Sequence, residues 1–361
     1  MTRALVGVLV ACASAAASAQ PPVSVDVSRG VIADSIHAAI VRRLAEGFGG
    51  AIIVEKDGIA ILKAGYGWAN REHRVPFTTS TIAQVGSLTK QFTAAAIVDL
   101  ALKGKISLSD SLALRIPDVP GASADITIQQ LLTHTAGLPD GCATDFSRLS
   151  ANELITRCLA RVHLPAGREF SYSNEGYSVA AALLERVSGQ SLEGYQSARF
   201  FSPLGMSRSG YFFSEMLHGS LASGYASAGV SAPISERLAT LRPDFWNLKG
   251  NGGMQASAED MYRWYGFLRR GRATGDSLAL ALTTPHARRD STVSYGFGWF
   301  LRLGADGAVE QISHTGSDGV FFAAFVWRPR DKTFFYLVSN NGEKTGAELA
   351  SAVLAHLRTT R

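Results

Sequence analysis

Ser87 and Lys90 lie three residues apart in the only Ser-x-x-Lys of the chain. Residues three apart on a helix share a face, so the Lys90 amine can reach the Ser87 hydroxyl. A serine hydroxyl becomes a nucleophile when a neighbour takes its proton, and a lysine amine does this when burial or positive charge lowers its pKa. On its own, the motif also fits an N-cap serine followed by a surface lysine.

A second polar cluster, Tyr172-Ser173-Asn174, follows the loop residues 165–167 and precedes a predicted helix. Tyr172 is suited to relay a proton, and Asn174 to hold a substrate amide or to orient Lys90. The same tripeptide also fits a turn with a half-buried tyrosine.

A third cluster, His314-Thr315-Gly316-Ser317, lies between two predicted C-terminal strands. Gly316 permits a close backbone approach, while His314 and Thr315 offer donors to an anion. The alternative is the polar face of an edge strand.

The elements that must position these residues are strands at both chain ends and helices between them. Residues 49–70 predict two strands with a turn at Asp57-Gly58, and residues 293–340 return to strands. Helical spacing favours helices within 32–46, 87–103, several segments of 105–284 and 346–358. We therefore predict an α/β fold of the α+β type, with a mainly antiparallel sheet flanked by helices and built from both chain ends. Its predicted units are a sheet domain (30–86 and 285–361) and an inserted, mostly helical domain (87–284), with the site between them.

The N-terminal segment resembles a signal peptide over residues 1–19. Arg3 precedes an apolar run, and Ala17-Ser18-Ala19 fits an A-x-A cleavage site. We expect an exported protein, periplasmic or secreted. The run up to Cys12 also resembles a lipoprotein processing site, which leaves lipidation open.

Composition narrows the class of partner. The 361 residues are 46% hydrophobic and 18% charged, with a net charge of +5 and no Lys/Arg run longer than two. That composition predicts a globular protein without a basic surface for nucleic acid. After the N-terminal apolar run, no stretch of the sequence is long and apolar enough to predict a transmembrane span. We expect a small-molecule or peptide substrate, and the oligomeric state stays open.

Histidines and cysteines give no metal signature. The eight His are scattered without an HExxH, so we predict neither a metal nor an organic cofactor. After cleavage Cys142 and Cys158 remain, and in an oxidising compartment they either form a disulfide or stay as thiols.

These motifs together resemble the serine β-lactamase/penicillin-binding superfamily, specifically its class C β-lactamase and DD-carboxypeptidase-like branch. The resemblance runs from about residue 30 to 358 and extends to five further segments: ITIQQLLTHTAGLP (126–139), PAGREFSYSNEGYSVAAALLE (165–185), FFSPLGM (200–206), GGMQASAEDM (252–261) and YGFGW (295–299).

The resemblance implies a role for each cluster. Ser87 would be the acylated nucleophile, Lys90 its proton acceptor and Tyr172 a partner in acid/base catalysis. Asn174 would bind the substrate amide, and the backbone N–H groups of Ser87 and Ser317 would form the oxyanion hole. The remaining substrate-binding positions would be His314, Thr315 and Gly316. His134, within LLTHTAGL, is interpreted as structural.

One position departs from the pattern, because His314 stands where many family members carry lysine. Imidazole is mostly neutral at pH 7, so a fixed charge for a substrate carboxylate is missing. We expect a serine hydrolase acting on a D-amino-acid peptide or a β-lactam. A small-ester esterase or D-aminopeptidase and a penicillin-binding sensor with slow turnover are the alternatives. A catalytically silent relative is disfavoured because Ser87, Lys90, Tyr172 and Asn174 are all present.

Overall fold

A computed structural model describes residues 20–116, 119, 121–162, 165–226 and 229–358 of the chain. The predicted signal peptide, with Cys12, lies outside the described residues. The strands found within them are β1 Val23–Ser28, β2 Gly50–Lys56, β3 Ile59–Tyr66, β4 Trp68–Asn70, β5 Val75–Pro76, β6 Ala83–Gln84, β7 Ser209–Gly210, β8 Gly224–Ala226, β9 Gly229–Ser231, β10 Gln255–Ala256, β11 Ala287–Arg288, β12 Val293–Tyr295, β13 Phe300–Leu303, β14 Val309–Ser317, β15 Phe322–Arg328 and β16 Thr333–Ser339.

The helices of the same ranges are concentrated between β6 and β11. They are α1 Gly30–Arg42, α2 Thr89–Leu102, α3 Leu112–Arg115, α4 Ile128–Leu132, α5 Ala151–Leu159, α6 Asn174–Ser188, α7 Leu192–Gln196, α8 Glu215–His218, α9 Ile234–Ala239, α10 Ala258–Thr274, α11 Ser277–Leu282 and α12 Glu343–Arg358. In this part of the chain, none of the helices has the length and apolar character needed to cross a membrane.

Both chain ends contribute to one nine-stranded antiparallel sheet, in the order β1-β3-β2-β16-β15-β14-β13-β12-β11. The two halves join where β2 pairs with β16, from Gly50 opposite Ser339 to Lys56 opposite Thr333. The β2–β3 hairpin turns at Asp57 and Gly58, which both have positive φ, as an Asp-Gly turn requires. The predicted fold class is confirmed, while β1, an added edge strand, was not predicted.

Helices cover the two faces of the sheet with separate apolar cores. On one face, α1 and α12 pack side chains such as Ile36 and Val353 against the outward residues of β2, β3, β15 and β16. On the other, α10 packs against the sheet, and Tyr265 stacks on Phe334 with ring centroids 3.9 Å apart. Fully burying a large apolar side chain contributes about 1.5–3 kcal/mol, which fixes the sheet relative to both layers.

Three elements converge on the predicted site. α2 follows a 3-10 turn over Gly86–Leu88 and is buried from Thr89 to Leu100. α6 begins after Ser173, an N-cap whose hydroxyl accepts the N–H of Gly176. The third element is the C-terminal end of β14.

Candidate active site

Ser87 and Lys90 are in hydrogen-bond contact at the start of α2. Nζ of Lys90 lies 2.9 Å from Oγ of Ser87. Ser87 is half-buried and lines a cleft, whereas Lys90 is fully buried. The serine lies on the 3-10 turn and the lysine on the first turn of the α-helix, so the three-residue spacing brings the pair together across the junction of two helix types.

Lys90 makes two more contacts, each to an oxygen. Nζ lies 2.7 Å from Oδ1 of Asn174 and 2.9 Å from the backbone carbonyl of Asn251. Burial lowers the pKa of Lys90 to about 7, against the opposing effect of carboxylates, of which Asp140 is the strongest. A neutral amine has two hydrogens and one lone pair; the two oxygens accept both hydrogens, which leaves the lone pair for the hydroxyl of Ser87.

Tyr172 lies beside the same serine. Its hydroxyl interacts with Ser87, and its ring centroid is 5.0 Å from Nζ of Lys90. Burial raises the pKa of Tyr172 above its ordinary value. The phenol therefore keeps its proton at a pH where Lys90 loses one, which suits Tyr172 to donate a proton.

His134 lies behind Tyr172 and is 1% exposed. Its ring stacks on the tyrosine, and its Nδ1 accepts the backbone N–H of Ser173 over 3.1 Å. Burial lowers the pKa of His134 well below its ordinary value, so the imidazole is neutral. This position fits the interpretation of His134 as structural.

The end of β14 presents an open side to the serine. β13 stops opposite Ser313, so in the described chain residues 314–317 pair only with β15. The sequence left open that this segment is the polar face of an edge strand. The structure shows a local edge, because the interior strand β14 extends beyond the end of its shorter neighbour β13.

Two glycines bring this edge against the 3-10 turn. A Cβ on Gly316 would lie 2.0 Å from the carbonyl oxygen of Val85 and 2.7 Å from the nitrogen of Ser87. A Cβ on Gly86, whose φ is +52°, would lie 2.7 Å from the nitrogen of Ser317. Without side chains at both glycines, the backbone nitrogens of Ser87 and Ser317 come to the same end of the cleft, as two oxyanion donors must.

His314 is 3% exposed and points away from solvent. Its Nδ1 lies 2.6 Å from the Thr315 carbonyl oxygen and its Nε2 3.3 Å from the Tyr295 hydroxyl. Burial and the charge of Lys90 lower the pKa of His314 to about 3. His314 is thus a neutral imidazole with Nδ1 donating, and the exposed side chain of the segment is that of Thr315.

The cleft in front of Ser87 has charges of both signs on its lining. Asp145 and Asp318 contribute carboxylates, and burial and Asp318 raise the pKa of Asp145. Arg237 contributes a guanidinium, which lies over the ring of Phe146 at 3.4 Å. Asn174 lines the same cleft, so its amide side chain is available to a ligand as well as to Lys90.

Three residues around Lys90 were not singled out from the sequence. Asn251 supplies a carbonyl from the loop before β10, while Asp140 and Glu175 supply the carboxylates that raise the pKa of the amine most. Glu175 follows Asn174 directly, which was a usable signal. Asn251 contacts Lys90 through its backbone carbonyl, which every residue type has. The identity of its side chain therefore could not have indicated this contact.

The two cysteines left open by the sequence form a disulfide. Cys142 and Cys158 are bonded, with their Cα atoms 5.2 Å apart. The bond ties the loop after Asp140 to α5. Among the residues with described positions, no group of three or more His, Cys, Asp and Glu side chains is arranged to hold a metal ion.

The chain is similar to known proteins in sequence and in fold. A sequence model of the family described as Beta-lactamase matches residues 37–358. Protein flp of Staphylococcus aureus (strain COL) is 26% identical over 328 residues, which cover 86% of this chain and 62% of that protein. The chain spans less than two thirds of the length of the curated relatives it matches first.

Two solved structures share the fold at 26% identity. The octameric penicillin-binding protein homologue from Pyrococcus abyssi superposes with a TM-score of 0.74, over 89% of this chain and 77% of that one. The penicillin-binding protein from Bacillus halodurans superposes with a TM-score of 0.73, over 89% of this chain and 98% of that one.

Proposed function

The chain belongs to the Beta-lactamase family of serine hydrolases, and from this membership we propose that it cleaves an amide through an acyl-enzyme on Ser87. The observation that carries the proposal is the 2.9 Å contact between Nζ of Lys90 and Oγ of Ser87. Because the other two contacts of Lys90 are to oxygens that only accept, its lone pair is directed at the nucleophile.

In the acylation step, the proton of Ser87 passes to Lys90 as Oγ bonds to the substrate carbonyl carbon. The oxyanion that forms accepts the N–H groups of Ser87 and Ser317, and a donor of this kind contributes about 10²–10³ in rate. The bond to the leaving group then breaks, and the leaving group takes the proton of Lys90 through Tyr172, which leaves Lys90 neutral. Water then attacks the acyl-enzyme and gives a proton to Lys90. As the bond between the acyl group and Oγ breaks, that proton passes to Oγ, and the free acid leaves.

For the substrate we propose a D-amino-acid peptide or a β-lactam. The names of the two structural neighbours, both penicillin-binding, support this choice. The cleft favours the peptide, because Asp145, Asp318 and Arg237 offer charges for both an amine and a carboxylate.

A small-ester esterase or a D-aminopeptidase is the second candidate, and the burial of His314 favours it. A neutral imidazole offers no fixed charge to a carboxylate, so a substrate that lacks one loses little here. A penicillin-binding sensor uses the same acylation and differs only in slow release of the acyl group.

Intact mass over time, after mixing with a penicillin, tests the proposal. Wild type should form an adduct that Ser87→Ala does not form. Rapid loss of the adduct with consumption of the drug identifies a β-lactamase, whereas a lasting adduct identifies a penicillin-binding peptidase or sensor. If no adduct forms, the same pair of proteins is assayed with a p-nitrophenyl ester and with D-amino-acid amides. Equal activity of both proteins would refute a Ser87 acyl-enzyme.

We further propose that the protein is exported after cleavage near Ala19. The disulfide between Cys142 and Cys158 supports this, since such bonds persist in oxidising compartments. N-terminal sequencing of the protein from cell-envelope and medium fractions tests it: a start at Gln20 supports cleavage, a lipid-modified Cys12 supports anchoring, and an intact Met1 in the cytosol refutes export.

A further inference from the structure

Glu175 is a buried carboxyl group next to the lysine that we propose as the base. It is 3% exposed and lies in the first turn of α6, directly after Asn174. Its Oε1 accepts the backbone N–H groups of Gly141 and Cys142. One oxygen of this carboxyl thus holds the loop that the disulfide closes.

The other oxygen, Oε2, is buried and receives no hydrogen from any donor in the described chain. The carboxyl of Asp140 is in hydrogen-bond contact with the carboxyl of Glu175, and Asp140 directly precedes Gly141, whose N–H is accepted by Oε1 of Glu175. Asp140 in turn accepts the backbone N–H of Asn174 at Oδ1 over 2.6 Å. Two carboxyl groups in contact cannot both be ionised at low cost, and one shared proton satisfies both.

We propose that Asp140 and Glu175 share one proton and act as a positioning pair, which fixes Asn174 against Lys90 and keeps the Lys90 amine unprotonated. The inference rests on the proposed acyl-enzyme function. The path of contacts is continuous: Glu175 meets Asp140, Asp140 holds the backbone of Asn174, and the side chain of Asn174 accepts from Lys90 over 2.7 Å.

The charge of the pair matters because both carboxylates favour the ammonium form of Lys90. Burial and Asp140 raise the pKa of Glu175 to about 7, in agreement with a shared proton. Because the pair carries only one negative charge, it raises the pKa of Lys90 less than burial lowers it. The amine of Lys90 therefore stays neutral. The other titratable or charged groups facing the pair and the lysine are Asp145, Arg161, His134, Tyr172, Tyr177 and His314.

Two substitutions of Glu175 separate position from charge. Glu175→Gln keeps an oxygen for Gly141 and Cys142 and gives Asp140 an N–H, but it cannot ionise. The variant keeps the single negative charge that the pair carries in wild type, so its acylation rate should stay within about threefold of wild type and the acid limb of the pH profile should not move. Glu175→Ala leaves the two N–H groups unpaired and should slow acylation by about tenfold or more with little change in KM. Glu215→Gln, at the exposed start of α8, is the matched control and should change neither property.

The probe is a p-nitrophenyl ester, followed as the burst of acylation, with circular dichroism to confirm folding. A second readout needs no turnover: ¹³C NMR of the Lys90 ε-carbon, assigned with Lys90→Met, follows its titration. In Glu175→Gln the midpoint of that titration should stay at the wild-type pH, because one negative charge faces the amine in both proteins. A lower midpoint or an acid limb moved to lower pH would mean that wild type carries two charges there and would overturn the pair. A folded Glu175→Ala that acylates like wild type would overturn it too. If wild type and Ser87→Ala react alike, the proposed function has failed, and the NMR midpoint alone then decides on the pair.

Discussion

The rings of His134 and Tyr172 stack with their centroids 4.2 Å apart and their planes inclined by 29°. His134 also has a φ of +57°, a conformation that few non-glycine residues adopt and in which Asn, Asp and His are enriched. Through its ring and its Nδ1, this one residue fixes both the side chain of Tyr172 and the backbone of Ser173.

His134→Ala should therefore lower the free energy of unfolding by about 3 kcal/mol, because it leaves a cavity behind Tyr172. It should also slow acylation. His134→Asn tolerates the positive φ and should cost less stability. Urea unfolding and acylation of Ser87 measure the two effects, and a stable, fully active His134→Ala would refute this role.

Lys90→Met should reduce acylation of Ser87 by about 10²–10⁴-fold, the usual contribution of a positioned base. The substitution keeps an unbranched side chain in a buried site, so the fold should persist. Lys105→Met, at an exposed position, is the control and should react at the wild-type rate. Acylation of Lys90→Met at that rate would exclude the lysine as the base.

The acylation rate should rise with pH through about 7. The neutral form of Lys90 is the proton acceptor, and it accumulates above a pKa that burial lowers to about 7. His314 contributes no titration there, because burial lowers its pKa to about 3. Rate profiles of wild type and His314→Gln should thus share one acid limb. Its disappearance in the variant would assign the titration to the histidine.

Gly316→Ala should reduce acylation by at least about 10²-fold, because the new Cβ would displace the turn that carries Ser87 and separate the two oxyanion donors. Gly219 has no atom within 4 Å of a Cβ built on it and has an ordinary helical φ. Gly219→Ala should therefore acylate normally. Stopped-flow acylation of the two folded variants makes the comparison, and equal rates would argue against a packed oxyanion hole.

Loss of the disulfide should lower the free energy of unfolding by about 3 kcal/mol, the value expected for a loop of this length. A double Cys142→Ala, Cys158→Ala variant, compared with wild type by denaturant unfolding, measures the loss. If both thiols alkylate in the unfolded, unreduced wild type, the bridge does not form.

The contacts in the site that could be predicted are those between residues close together in the sequence. Ser87 meets Lys90 because three residues make a helical turn, and the fold class follows from strands at both chain ends. The contact of Lys90 with Asn251 joins helix α2 to a distant loop through a backbone carbonyl, and no residue pattern reports such a contact.

The side chain of His314 illustrates a second limit. Successive side chains of a strand point to opposite faces of the sheet, so the sequence predicts only that His314 and Thr315 face opposite ways. Which of the two meets solvent depends on the aromatic rings of Tyr172, Tyr295 and Phe300, which surround the imidazole and come from three separate segments. Their convergence is a property of the tertiary packing.

The seam between β2 and β16 has a consequence for biosynthesis. Its two strands are far apart in the sequence, so β2 and β3 emerge from the ribosome long before their partner is made. Such non-local pairing is slow to form and leaves hydrophobic strand edges exposed in the meantime. The nascent chain therefore completes its central sheet only after β16 has been made, and until then the β2–β3 hairpin is the part of the protein that a chaperone has most reason to cover.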